Sequence, residues 1–253
     1  NTTLYLILIP IMKSIFFSIR NIVFLLFLIF SSFVSAQINV TDPLSSFQSY
    51  DLEQQRCLAS FYEEANDENL YCVANYSRLL QHSDAKYWYY RLVQEYPFSS
   101  LLAHARKDLG FVYFSEKNYE KSSYFLGLVD QDDLKDNEYY FKLAYSLFAI
   151  DRLEDAQFYF MKVSRGKYRK LCIYYLSHIL YSQSFYDKAL ENFKSLESHK
   201  DFGKIIPYYI TQIYFIRNQY QDLVDYAPSI LENVVPSRES EMNRLIAESY
   251  YQL

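Results

Sequence analysis

The sequence predicts an all-α protein assembled from repeated helical pairs, and three observations carry that reading. Of its 253 residues 51% are apolar, with 28 Tyr and 20 Phe, so core material is abundant and the composition is far from that of disordered chains. Only 4 Gly and 6 Pro interrupt it, which leaves long stretches free to be helical. Small or short residues recur at Gly110, Ala144, Ser177, Thr211 and Ala247, at spacings of 34, 33, 34 and 36 residues. A period of that size outranks chain length as a guide to organisation.

Residues 1–36 stand apart from this pattern. Met12 is followed by Lys13 and Arg20, then by an apolar run from Ile22 to Phe30, and the stretch closes on Val34-Ser35-Ala36 before Gln37. A positive start, a short apolar centre and small residues at the end are the three parts of a secretory signal, with cleavage expected after Ala36. The rival reading is an uncleaved membrane anchor. Residues 1–11 read as upstream translation or a fragment boundary, and no Cys follows the small residues to accept a lipid. The expected location is therefore periplasmic or secreted, membrane-anchored if the signal is retained.

Loss of Lys13 and Arg20 would leave 23 basic residues against 30 acidic ones, a net charge of −7. An acidic surface repels phosphate backbones, so no nucleic-acid partner is expected. Cys57, Cys72 and Cys172 form no redox or zinc spacing and read chiefly as small buried apolar residues. Cys57 and Cys72 could also pair, and the sequence leaves that open.

Aligned on the period, the stretches 108–129, 142–163, 175–196 and 209–230 agree at several positions. Twelve residues after each of the first four small residues come Ser122, Ala156, Ala189 and Leu223, and four further on come Leu126, Phe160, Phe193 and Ala227. Two helices can cross closely only where both backbones present little side chain, so one small residue on each marks the crossing. Ala144 and Ala156 fill that role in LAYSLFAIDRLEDAQFYFMKV, residues 143–163, with Leu143, Leu147, Tyr159, Phe160 and Val163 at core spacings. Asn118, Asp151, Ser184 and Asn218 stand at or beside the intervening turns, where residues tolerant of positive φ are needed. Asp155 and Asp187 suit the positive ends of second helices.

This pattern resembles the tetratricopeptide repeat, strongly in the helices and more loosely in the turns. The resemblance implies a right-handed α-solenoid of helix-turn-helix repeats. Residues 67–253 would hold about five repeats, the last incomplete, with Ala74, Ala85, Tyr89, Leu92 and Pro97 belonging to an earlier, less regular one. Residues 37–66 read as an exposed lead and a packed N-terminal helix. At the other end Ile246, Ala247, Tyr250 and Tyr251 do not form a polar cap, so the chain is read as the N-terminal part of a longer protein.

No catalytic, cofactor-binding or metal-ligating set is expected. His82, His104, His178 and His199 are scattered, no Gly-rich phosphate loop or nucleophile elbow occurs, and Glu63-Glu64 and Asp132-Asp133 read as solvated runs. The resemblance implies instead a concave groove lined by first helices. The family register places there Lys107, Phe111, Phe114, Phe141, Tyr145, Phe148, Tyr174, His178, Tyr181, Tyr208, Gln212 and Phe215, then Glu248 and Tyr251. That would be an aromatic groove with few charges, suited to a protein or peptide partner. The bland alternative is that the rings pack the inner wall. The lysine-asparagine clamp of the family's chaperone-tail binders is not implied, because Lys107 alone matches it and Phe111 stands where an asparagine would. The leading expectation is a non-catalytic scaffold of the bacterial cell envelope. A glycan-binding accessory protein, or the input module of a longer enzyme or sensor kinase, are the alternatives.

Overall fold

The computed structural model describes residues 43–253, so the signal-like stretch lies outside the described residues. Among the described residues there are twelve α-helices and no strand. α1 spans Pro43–Glu63, and five hairpins follow: α2 Asp67–Leu79 with α3 Ala85–Glu95, α4 Leu102–Ser115 with α5 Tyr119–Gly127, α6 Asn137–Ala149 with α7 Leu153–Lys162, α8 Arg169–Ser182 with α9 Tyr186–Leu196, and α10 Ile206–Ile216 with α11 Tyr220–Tyr226. A 3-10 segment, Ala227–Asn233, leads to the unpaired α12, Pro236–Gln252. Contacts divide the chain after Gln55. The first unit contributes residues 43–55, the opening of α1, in which Gln55 Nε2 donates to Asp51 at 3.1 Å. The second, residues 56–253, is the repeat array, in which each helix packs on its neighbours in sequence.

The helical pairs close where the small residues stand. Gly110, Ala144, Ser177 and Thr211 are buried on the first helices, and Ser122, Ala156, Ala189 and Leu223 are fully buried on the second. A Cβ on Gly110 would lie 2.6 Å from Leu126 Cγ, so that crossing admits no side chain at all. Hydroxyls at such positions need partners inside the core. Ser177 Oγ donates to the carbonyl of Ile173 at 2.6 Å, Thr211 Oγ1 to Pro207 at 2.9 Å and Ser146 Oγ to Lys142 at 2.7 Å, each one helical turn back. Ala247 differs: it is exposed, because no helix among the described residues packs over that face of α12.

Each hairpin is joined in one way. Gln81, Lys117, Asp151, Ser184 and Asn218 take φ of 57°, 60°, 61°, 64° and 56°. In every case the left-handed residue and its successor donate back to the helix end: Asp151 N to Phe148 O at 3.1 Å and Arg152 N to Leu147 O at 2.9 Å, Ser184 N to Tyr181 O at 3.0 Å and Phe185 N to Leu180 O at 2.8 Å. These are Schellman caps, which satisfy carbonyls that would otherwise be orphaned. Asn118 is the neighbour of the left-handed residue rather than that residue, and its side chain accepts from Lys121 N as the N-cap of α5.

Cys57 on α1 and Cys72 on α2 form a disulfide, with Cα atoms 5.7 Å apart, which resolves the pairing that the sequence left open. Cys172 is free and buried, and burial pushes its thiol up to about 12.

Candidate functional site: the shared face of the first helices

Three successive first helices open one cleft of about 430 Å³, lined by Arg78 of α2, by Lys107, Asp108, Phe111, Val112 and Ser115 of α4, and by Glu138 and Lys142 of α6. Its floor is a ring held between cations. The Lys142 ammonium lies 3.7 Å from the Phe111 ring centroid and Lys107 lies 5.6 Å from it. Glu138 fixes Lys142 at 2.8 Å, one turn apart on the same helix. Lys107 donates to the Leu134 carbonyl at 2.7 Å and to Asp136 at 3.0 Å.

The cleft's other wall is a network around Asp108. Tyr71 and Tyr89 hydroxyls both donate to Asp108 Oδ2, at 2.8 and 3.2 Å, and Arg78 stands 3.8 Å from its other oxygen. Burial, then the Asp108 charge, raises the pKa of both tyrosines, so both keep their protons and hold the carboxylate.

The groove residues expected from the sequence divide between these settings. Lys107 and Phe111 line the cleft. Phe141 and Tyr208 are only 8% and 7% exposed and belong to the core, Phe141 stacking on Tyr168 at 4.8 Å. Phe114, Tyr145 and Phe148 are half-buried: Phe114, Tyr119 and Tyr175 each pack edge-on with Tyr145, and Phe148 is tilted against Tyr175. Tyr174, His178 and Tyr181 are half-buried around Tyr209, with Tyr174 stacked on Phe202 at 5.0 Å. Gln212 bridges two hydroxyls, accepting from Tyr181 at 3.3 Å and donating to Tyr208 at 2.7 Å, and Phe215 packs on Tyr220. Glu248 is tied to Arg244, and Tyr251 is exposed.

The cleft is thus more charged than the sequence suggested. Arg78, Asp108, Glu138 and Lys142 were missed, although the four-residue spacing of Glu138 and Lys142 was a legible ion-pair signal. No group of three or more His, Cys, Asp or Glu among the described residues is placed to hold a metal, and no described helix is long and apolar enough to cross a membrane.

No protein-family model matches the chain, and no curated protein does. Solved structures are similar to it in fold. YrrB, a tetratricopeptide-repeat (TPR) protein with an unusual peptide-binding site, is 14% identical over 78% of this chain and 98% of its own, with a TM-score of 0.56. The MamA protein is 19% identical over 66% of this chain and 91% of its own, at 0.54, and PilF of Pseudomonas aeruginosa is 14% identical over 78% and 97%, at 0.50. The chain therefore has the fold of a TPR protein, an all-α solenoid of tetratricopeptide helix pairs.

Proposed function

We propose that this chain is a non-catalytic protein-protein interaction scaffold of the cell envelope, and that it holds an extended segment of a partner protein in the cleft between α2, α4 and α6. The observation that carries the reading is the cleft itself: three consecutive repeats each contribute their first helix to one opening with an aromatic floor and charged walls. Clefts of this size bind by apolar contact and are made selective by a few fixed polar groups. Phe111 supplies the first and Lys107 and Lys142 the second. The peptide-binding site of YrrB, on the same fold, supports the same class of ligand. The Cys57–Cys72 disulfide supports an oxidising compartment, in keeping with the signal-like N-terminus.

The test is selection of binders from a displayed random peptide library, followed by photo-crosslinking of selected peptides with benzoylphenylalanine placed at Ser115 in the cleft or at Glu191 on α9. Adducts from position 115 and none from 191 are expected. No selected peptide, or equal labelling from both positions, overturns the cleft as the binding site. For the address, a mature N-terminus at Gln37 in the envelope fraction is expected, and an intact N-terminus in the cytosol overturns it.

A further inference from the structure

The acidity of the chain as a whole is not shared by the connection between α7 and α8. Lys162, Arg165, Lys167, Arg169 and Lys170 fall within nine positions, and no Asp or Glu occurs between Asp155 and Asp187. This connection is pinned along its length. Val163 is buried, Tyr168 stacks on Phe141 with centroids 4.8 Å apart, and Arg169 Nη1 donates to the Val163 carbonyl at 3.0 Å. Asn137 Nδ2, at the start of α6, donates to the Arg165 carbonyl at 3.1 Å, beside Gly166 at φ 82°. The backbone is thus fixed while Lys162, Arg165, Lys167 and Lys170 stay exposed. Lys162, Arg165 and Lys170 meet no carboxylate among the described residues. On the preceding connection and the start of α6, Asp136, Glu138 and Asp132 are held by Lys107, Lys142 and Lys135, which leaves Asp130 and Asp133 against five cations.

Apolar side chains stand beside these cations. Phe158 and Met161, three residues apart on α7, are 50% and 54% exposed, and the Lys162 ammonium lies 4.7 Å from the Phe158 ring centroid. Tyr124 takes the same place on α5, two residues after the buried Ser122 as Phe158 is after Ala156, and it is exposed too. On α9 that place holds Glu191, so the apolar character stops there. Lys162 covers a face of the Phe158 ring on which a nucleobase would stack. Phe and Met flanked by cations suit a lipid surface instead, where rings and apolar chains enter the headgroup layer and cations stay on the phosphates.

We propose that this patch docks the array reversibly on an anionic lipid bilayer, with Phe158 and Met161 entering the headgroup layer and Lys162, Arg165, Lys167 and Lys170 on the lipid phosphates. A small apolar anchor or a few cations alone give only marginal attachment, and the two signals together give a stable one. The surface is independent of the cleft, which belongs to the first helices, and of the signal-like stretch.

The test places an environment-sensitive nitrobenzoxadiazole label on Met161→Cys or, as a control, on Glu191→Cys, the native cysteines being paired or buried. Each labelled chain is mixed with phosphatidylcholine vesicles with and without phosphatidylglycerol. A blue shift at 161 that requires phosphatidylglycerol, and none at 191, is expected. Each cation at an anionic surface contributes roughly fivefold to partitioning, so Lys162→Gln with Arg165→Gln should weaken it at least about tenfold. No shift at 161, or an equal one with phosphatidylcholine alone, overturns the proposal. Equal shifts at 161 and 191 overturn it by placing the attachment elsewhere on the chain, as does partitioning that the double variant leaves unchanged. If polyglutamate or a DNA oligonucleotide shifts the label at 161 as readily as the vesicles do, the patch is a site for soluble polyanions and the membrane assignment falls.

Discussion

Gly110 and Leu126 meet with no room between them: a Cβ on the glycine would lie 2.6 Å from Leu126 Cγ, 2.7 Å from Cδ2 and 3.3 Å from the Leu126 backbone nitrogen. Leu126 is fully buried and cannot swing aside. Gly→Ala inside a helix ordinarily gains about 1 kcal/mol. Here overpacking of about 1–3 kcal/mol opposes it, so Gly110→Ala should be destabilising and Gly110→Val more so. Denaturant unfolding of Gly110→Ala, Leu126→Ala and the double variant checks this: the alanine at 110 should cost clearly less once Leu126 is shortened, and strict additivity would contradict the contact.

Lys117 holds a left-handed conformation at φ 60° that Lys has no chemical reason to prefer. Lys117→Gly should therefore stabilise by about 1 kcal/mol. For a chain of this size that is a rise of roughly 2–4 °C in Tm, measurable by calorimetry. Asp151→Gly should gain less, since Asp tolerates φ 61° better.

The Cys57–Cys72 disulfide closes a loop of 15 residues between α1 and α2. Chain-entropy arguments give about 3 kcal/mol for such a loop. Paired Cys57→Ser and Cys72→Ser substitutions, or unfolding with and without dithiothreitol, should show a loss of that order, and no loss would mean that α1 is held by packing alone.

His178 sits among Tyr174, Tyr209 and Phe193, at centroid distances of 4.5, 4.5 and 5.4 Å, and its Nε2 has no hydrogen-bond partner among the described residues. Burial lowers its pKa from 6.5 to about 4. Between those values the unfolded chain binds the proton and the folded chain does not, so stability falls as pH drops from 6.5 to 4, by about 3 kcal/mol at most. Replacement by Phe should remove that part of the slope. Parallel Tm-against-pH curves for the wild type and His178→Phe would count against it.

The helix pairs were legible because close packing leaves a mark that a single sequence shows: Ala144 and Ala156 can stand twelve apart among aromatic rings only where two backbones touch. The groove was legible in part. Lys107 and Phe111 do line a cleft, but Phe141 and Tyr208 lie in the same register and are buried. Register fixes the side of a helix, and the neighbouring chain decides whether that side stays open: Phe141 is covered by Tyr168, which lies before the next first helix. The wall of Tyr71, Tyr89, Arg78 and Asp108 joins residues up to 37 apart, and no local spacing announces it. Lys117 was missed because nothing in its side chain favours the conformation that its cap imposes.

The five Schellman caps recur at intervals of 36, 34, 33 and 34 residues and close on the same hydrogen bonds, with helices packed on their neighbours in sequence. The array can accordingly be counted in whole units. A duplicated segment spanning one interval, joined at the left-handed residues, would present the same faces to both neighbours, whereas one ten residues shorter would turn every later helix about its own axis. Those joints are splice points, at which a gene could lengthen the protein without redesigning any of its interfaces.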